Sequence, residues 1–99
     1  PSLTVGATGA VMALANIAPQ ALIDLYQSFK RGDWDEAAAA QQRLVPVNTA
    51  VTARFGVAGL KAAMDLMGYY GGPVRSPLQP LYESQIEILK AILIRGKVL

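Results

Sequence analysis

The chain has 99 residues, of which 53% are apolar and only 16% charged. An average soluble protein is roughly 25% charged, so this one carries more apolar surface than a domain of its size can bury. Zero Cys and zero His exclude a disulfide scaffold, a thiol nucleophile, Cys-ligated zinc and the Ser-His and Cys-His dyads.

The net charge of +2 comes from nine basic residues scattered along the chain, never more than two in a row. Nucleic acid is therefore not an expected partner. A membrane is not expected either, because Asn16, Pro19, Asp24, Glu87, Lys90 and Arg95 interrupt the apolar stretches well short of the ~20 residues a spanning helix needs. No charged region precedes an apolar run at the N-terminus, unlike a signal peptide.

Taken in chain order, Pro1 to Gly9 is small and turn-rich. Gly6-Ala-Thr-Gly9 lacks the Gly-Lys-Ser/Thr ending of a phosphate loop and reads as a tight turn. Ala10-Val-Met-Ala-Leu-Ala15 is an unbroken apolar run, as in a strand buried on both faces, with a buried helical turn as the alternative. Asn16 can cap a following helix, and Pro19 suits its first turn. Leu22, Leu25, Tyr26 and Phe29 then share one face, Gln20, Asp24, Gln27 and Arg31 the other, and Gly32 is a stop.

Asp33 and Glu36 resemble a capping box opening an alanine-rich helix from Trp34 to about Val45. That explains the acidic cluster Asp33, Asp35, Glu36 better than a metal site does. Pro46 ends this helix or starts the next. Further helices are expected from about Pro46 to Phe55 and from about Val57 to Met67, with Gly56 and Gly68 as stops. Residues 69–81 hold three prolines and two glycines and read as an ordered loop or an extended crossing, which Tyr69, Tyr70 and Arg75 are expected to anchor, the alternative being contact with a substrate or a neighbouring subunit. The last helix runs from about Tyr82 to Arg95 with apolar residues over a wide arc. Lys61 and Asp65 are spaced for a surface ion pair.

One strand at about 10–15 and about five helices do not make a sheet. The pattern is that of the terminal piece of a larger α/β protein, with an independent helical interaction module as the reading of another class. The module reading requires residues 10–15 to be helical.

The order of segments resembles the C-terminal part of the dihydrodipicolinate synthase / N-acetylneuraminate lyase superfamily of class I aldolases on a (β/α)8 barrel. The residues that carry it are Gly6-Ala-Thr-Gly9-Ala-Val11-Met-Ala-Leu-Ala-Asn16, Gly32-Asp33-Trp34, Leu44-Val-Pro46, Gly59-Leu-Lys61 and Gly72-Pro-Val-Arg75-Ser-Pro77-Leu-Gln-Pro80-Leu. Asn48 to Lys61, Met64-Asp65 and Gly68 to Pro73 are similar to 4-hydroxy-2-oxoglutarate aldolase. Synthases proper usually carry Glu-Pro-Asn-Pro where this chain reads Arg54-Phe55-Gly56-Val57.

The resemblance implies that residues 1–31 are the last β/α unit of the barrel and 32–99 a helical extension bracing it. It implies a homotetramer, a small 2-keto-acid substrate, and neither cofactor nor metal. The chemistry is Schiff-base cleavage of 4-hydroxy-2-oxoglutarate or a similar 2-keto acid to pyruvate plus an aldehyde. Close relatives act on 2-keto-3-deoxy sugar acids or make dihydrodipicolinate. The Schiff-base lysine, the proton-shuttling tyrosine and the carboxylate loop are expected upstream, leaving these 99 residues inactive alone. No catalytic residue is assigned within them. Val11 is the substrate-binding candidate, its carbonyl and side chain expected to line the pyruvate pocket; strand ends at the C-terminal face are where barrel sites lie.

Overall fold

A computed structural model describes residues 1–99. Four α-helices dominate it: α1 (Pro19–Arg31), α2 (Trp34–Thr49), α3 (Gly56–Leu66) and α4 (Glu83–Arg95). Short 3-10 turns lie at Ser2–Val5 and Ala13–Asn16, and a π-helical segment, Ala50–Arg54, joins α2 to α3.

There is no strand, which corrects the expected one at 10–15. Met12 keeps an extended backbone (φ −132°, ψ 125°), and Ala13–Asn16 then curls into a 3-10 turn. A strand is defined by its ladder, and this chain offers no second extended segment to pair with. The helix count is likewise four rather than five. Pro46 sits inside α2, so the helix expected from it is the continuation of α2 through the π segment, where the Phe55 N–H reaches the Ala50 carbonyl at 3.0 Å.

Local signals place the other ends. Pro19 opens α1, and Gly32 closes it in the left-handed region (φ 80°), its N–H donating to the Phe29 carbonyl while the Asp33 N–H donates to the Ser28 carbonyl. Asn16 is not the cap: its amide donates to the Ala13 carbonyl at 3.0 Å, inside its own 3-10 turn, and Ala18 is the N-cap residue. Asp33 does cap α2, accepting from the Glu36 N–H at 3.3 Å. The reciprocal half of the box is absent, because Glu36 pairs with Arg31 at 3.5 Å. Phe29 and Trp34 meet edge to face, 4.9 Å between centroids, at the corner of the α1–α2 hairpin.

The core is small. Leu14 enters it from the second 3-10 turn, Ile17 and Ala18 from the junction with α1, Leu44, Val47, Ala50 and Val51 from α2 and the π segment, Ala63 from α3, and Leu89 and Leu93 from α4. Only 15 of the 99 residues are buried, and the molecule is elongated, 42 × 24 × 21 Å. The apolar surplus of the composition is therefore on the surface, at Val5, Val11, Trp34, Val45, Val57, Ile88 and Ile94 among others. The last helix buries Leu89 and Leu93 and half-buries Ile86 and Ile92, a narrower arc than its composition predicts.

Two close backbone approaches fix the C-terminal half. At Gly96 the main chain presses against the Val47 side chain, and Arg43 of α2 donates to the Gly96 carbonyl at 2.5 Å. At Gly71 the crossing segment runs against the main chain of Lys61. A side chain at either position meets occupied space.

Candidate functional site

The segment from Gly9 to Met12 forms one wall of an apolar cleft of about 200 Å³, closed by Leu3, Leu22, Leu25 and Tyr26. Extended backbone sends successive side chains to opposite sides. Ala10 and Met12 line the cleft against α1, while Val11 does not and is fully exposed at 108%. Met12 also lines a second hollow of about 120 Å³ between α1 and α2, with Leu22, Leu25, Gln41, Leu44 and Asn48 around it. The segment is thus anchored through Met12, extended in backbone, while Val11 stands out in the open.

Elsewhere the side chains with chemical potential are committed to structure. Lys61 and Asp65 do not pair with one another as their spacing predicts. Lys61 Nζ donates to the Gly71 carbonyl at 2.6 Å, and Asp65 Oδ1 accepts the Gly71 N–H at 2.8 Å. Tyr69 is tied by its main chain, donating to the Met64 carbonyl at 2.9 Å, and the Tyr70 ring lies over Gly72. The Arg75 carbonyl accepts from the Leu78 N–H at 3.0 Å, while its side chain is exposed. Gly6 (φ 95°) closes the first 3-10 turn, its N–H donating to the Leu3 carbonyl at 3.2 Å and the Ala7 N–H to the Ser2 carbonyl at 3.1 Å, as a tight turn requires. No group of three acidic side chains converges as a metal site would need, Asp33 and Glu36 being used at the start of α2. No helix is long and apolar enough to cross a membrane.

Sequence reading missed the tie between Arg43 and Gly96. The two residues are 53 positions apart, and nothing local marks either as a partner of the other.

The pattern of an extended segment entering a helix, followed by a helical hairpin and an anchored crossing, has counterparts. The model of the dihydrodipicolinate synthetase family matches residues 1–95. The chain belongs to that family. Among relatives, an uncharacterised DapA-like lyase of Halobacterium salinarum is 40% identical over 91 residues, 92% of this chain and 30% of that protein. A 4-hydroxy-tetrahydrodipicolinate synthase of Methanopyrus kandleri is 32% identical over 90 residues, 91% of this chain and 30% of that protein.

Solved structures of the family superpose well. Proteus mirabilis N-acetylneuraminate lyase matches with a TM-score of 0.87 at 30% identity, covering 99% of this chain and 33% of that one. Dihydrodipicolinate synthase from Thermotoga maritima matches with a TM-score of 0.86 at 27% identity, over 98% of this chain and 33% of that one. This chain thus spans about a third of the length of its family relatives. The structural neighbours are barrel proteins of the dihydrodipicolinate synthase family, of which this chain matches about a third.

Proposed function

We propose that the chain is the C-terminal third of a Schiff-base lyase that cleaves 4-hydroxy-2-oxoglutarate, or a similar 2-keto acid, to pyruvate and an aldehyde. Residues 1–31 supply the last β/α unit and 32–99 the helical brace. The carrying observation is the Gly9–Met12 segment, extended at Met12, which leads through a 3-10 turn into α1 in a chain matched by the family over residues 1–95.

In this reading a lysine outside these residues condenses with the keto carbon, releasing water. The protonated imine draws electrons from the adjacent C–C bond; as the 4-hydroxyl gives up its proton, that bond breaks to an aldehyde and an enamine. The enamine takes a proton at carbon and is hydrolysed to pyruvate and free lysine. The chain's own contribution is the rim of the pocket, where Val11 faces the substrate, held in register by Met12 packing behind it. No cofactor takes part.

The substrate preference rests on residues 54–57. Phe55 donates its N–H to the Ala50 carbonyl, which closes the π segment, and Gly56 has φ 58°. A proline at position 55, as in Glu-Pro-Asn-Pro, has no N–H to give, so the two sequences build this corner differently. A synthase reaction is the second reading, favoured by relatives named 4-hydroxy-tetrahydrodipicolinate synthase.

Borohydride reduction in the presence of pyruvate tests the class. The protein carrying the upstream barrel gains a pyruvate adduct on a lysine outside these residues, and Lys30, Lys61, Lys90 and Lys97 stay unmodified. No adduct at all, or one on Lys61, overturns the proposal. Release of pyruvate from 4-hydroxy-2-oxoglutarate separates the aldolase from the synthase reading.

A further inference from the structure

Arg43 and Arg95 come from different helices, α2 and α4, and line one open hollow of about 280 Å³ together with Gln42, Pro46, Ile92 and Gly96. None of these residues lines either hollow at Met12, so the place is separate from the Val11 rim. Half-buried Arg43 is held in position, because its Nη1 donates to the Gly96 carbonyl. A guanidinium carries five N–H donors in a planar fork, and this bond uses one of them. The Arg95 and Gln42 side chains are exposed and make no hydrogen bond or ion pair within the chain.

The hollow therefore holds positive charge that the chain leaves without a counter-charge. Its walls contain no carboxylate. Along α2 the acid nearest to Arg43 is Glu36, seven residues away and paired with Arg31. Along α4 the acid nearest to Arg95 is Glu87, eight residues off, or about 12 Å along the axis. That exceeds the screening length of about 10 Å at 0.1 M salt. The carbonyl end of α4 supplies roughly half a negative charge, too little for two guanidinium groups. Each guanidinium can give two parallel N–H bonds to the oxygens of one acid group. Two of them on separate helices around a concave space make a clamp, and the Gln42 amide adds a neutral donor at its edge.

We propose that the hollow between α2 and α4 binds a small dianionic oxyanion, a phosphate or a dicarboxylate, clasped by Arg43 and Arg95 with Gln42 at its rim. The volume lies at the small end of ligand pockets and suits a ligand of a few carbons.

Titration calorimetry and thermal unfolding test the site in the protein that carries the upstream barrel, with the 99-residue chain beside it. Inorganic phosphate and succinate are the probes, and chloride at equal ionic strength is the reference. At least one probe binds saturably and raises the melting temperature, as a ligand selective for the folded state must. The tighter of the two names the source of the anion. Arg95→Gln weakens binding tenfold or more. Gln42→Glu puts a carboxylate beside the two guanidinium groups, so it raises the melting temperature without ligand and abolishes the response to both probes. Both positions are exposed, so neither exchange disturbs the core, and Arg43 is left in place because it also ties Gly96.

Absence of saturable binding, or binding that persists unchanged in Arg95→Gln or in Gln42→Glu, overturns the proposal. A response seen in the 99-residue chain and lost in the longer protein overturns it too, since the upstream barrel then fills the hollow with an acid of its own.

Discussion

Lys61 and Asp65, one turn apart on α3, hold the two main-chain poles of a single residue: the ammonium takes the Gly71 carbonyl at 2.6 Å and the carboxylate takes the Gly71 N–H at 2.8 Å. Spacing of this kind ordinarily yields a surface pair worth a few tenths of a kcal/mol. Here both charges are spent on a buried glycine, and the Pro-rich crossing is locked to α3 at its first buried point.

The first prediction concerns that lock. A Cβ on Gly71 enters the main chain of Lys61, which cannot move aside without bending α3. Gly71→Ala is expected to destabilise the chain by about 3 kcal/mol or more, in the range of severe overpacking. Gly68→Ala has open space around it and only its left-handed φ of 82° to contend with, for a cost of about 1–2 kcal/mol. Urea unfolding of the two variants side by side measures the difference; equal midpoints contradict the close approach.

Lys61→Met keeps the aliphatic stem and removes the donor. The half-buried Gly71 carbonyl loses a charge-assisted hydrogen bond, an expected loss of about 1.5–3 kcal/mol. In a Schiff-base role Lys61 has to be free to react, whereas a lysine engaged by a carbonyl is not. Lys61→Met is therefore expected to lower the melting temperature while leaving pyruvate trapping by the protein that carries the upstream barrel intact.

At the start of α2 the expectation is local. Asp33→Ala removes the acceptor for the Glu36 N–H and costs about 1 kcal/mol. Asn16→Ala removes an exposed amide that bonds only within its own turn, and changes stability by less than about 0.5 kcal/mol. Denaturant midpoints rank the two, and the reverse order would return Asn16 to the capping role its sequence position suggests.

These contrasts show what the sequence makes legible. Gly32, Asp33 and Pro19 act on backbone groups within four residues, so the ends of α1 and the start of α2 follow from residue type alone. Pro46 misleads for the opposite reason. An interior proline costs a helix about 3 kcal/mol, yet α2 runs through it because Leu44, Val47, Ala50 and Val51 on either side are buried in the core. Tertiary packing outweighs local preference. The apolar run at 10–15 is read as a strand because its residues suit one, but a strand needs a neighbour, and only the extended backbone at Met12 survives without it. As for the candidate site, Val11 is proposed through the family resemblance alone, and its full exposure is a tertiary fact that composition cannot convey.

The proposed role of Val11 can be tested apart from stability. Its side chain touches no core, so Val11→Ala is expected to change the unfolding free energy of the chain by less than about 0.5 kcal/mol. The buried Val47, by contrast, leaves a cavity when truncated. In the protein that carries the upstream barrel, Val11→Ala is expected to lower kcat/KM for the 2-keto acid roughly tenfold through loss of about 1.4 kcal/mol of binding at the pocket rim. Unchanged kinetics would remove Val11 from the site.

The last prediction couples two residues 49 positions apart in sequence, Val47 on α2 and Gly96 beyond α4. A Cβ on Gly96 collides with the Val47 Cγ2 methyl, so Gly96→Ala is expected to cost about 1–3 kcal/mol by overpacking. Val47→Ala, at a fully buried site, is expected to cost about 2 kcal/mol through lost burial and a cavity. The pair together should cost less than the sum by about 1 kcal/mol, because the methyl added at 96 fills space vacated at 47. Arg43 sharpens the test, since its hydrogen bond to the Gly96 carbonyl holds the same approach. Adding Arg43→Met lets the two segments separate, and the coupling between 47 and 96 then shrinks. A double-mutant cycle in urea, repeated in the Arg43→Met background, reads both values, and strict additivity in the first cycle would mean that α2 and the end of α4 are not in contact in solution.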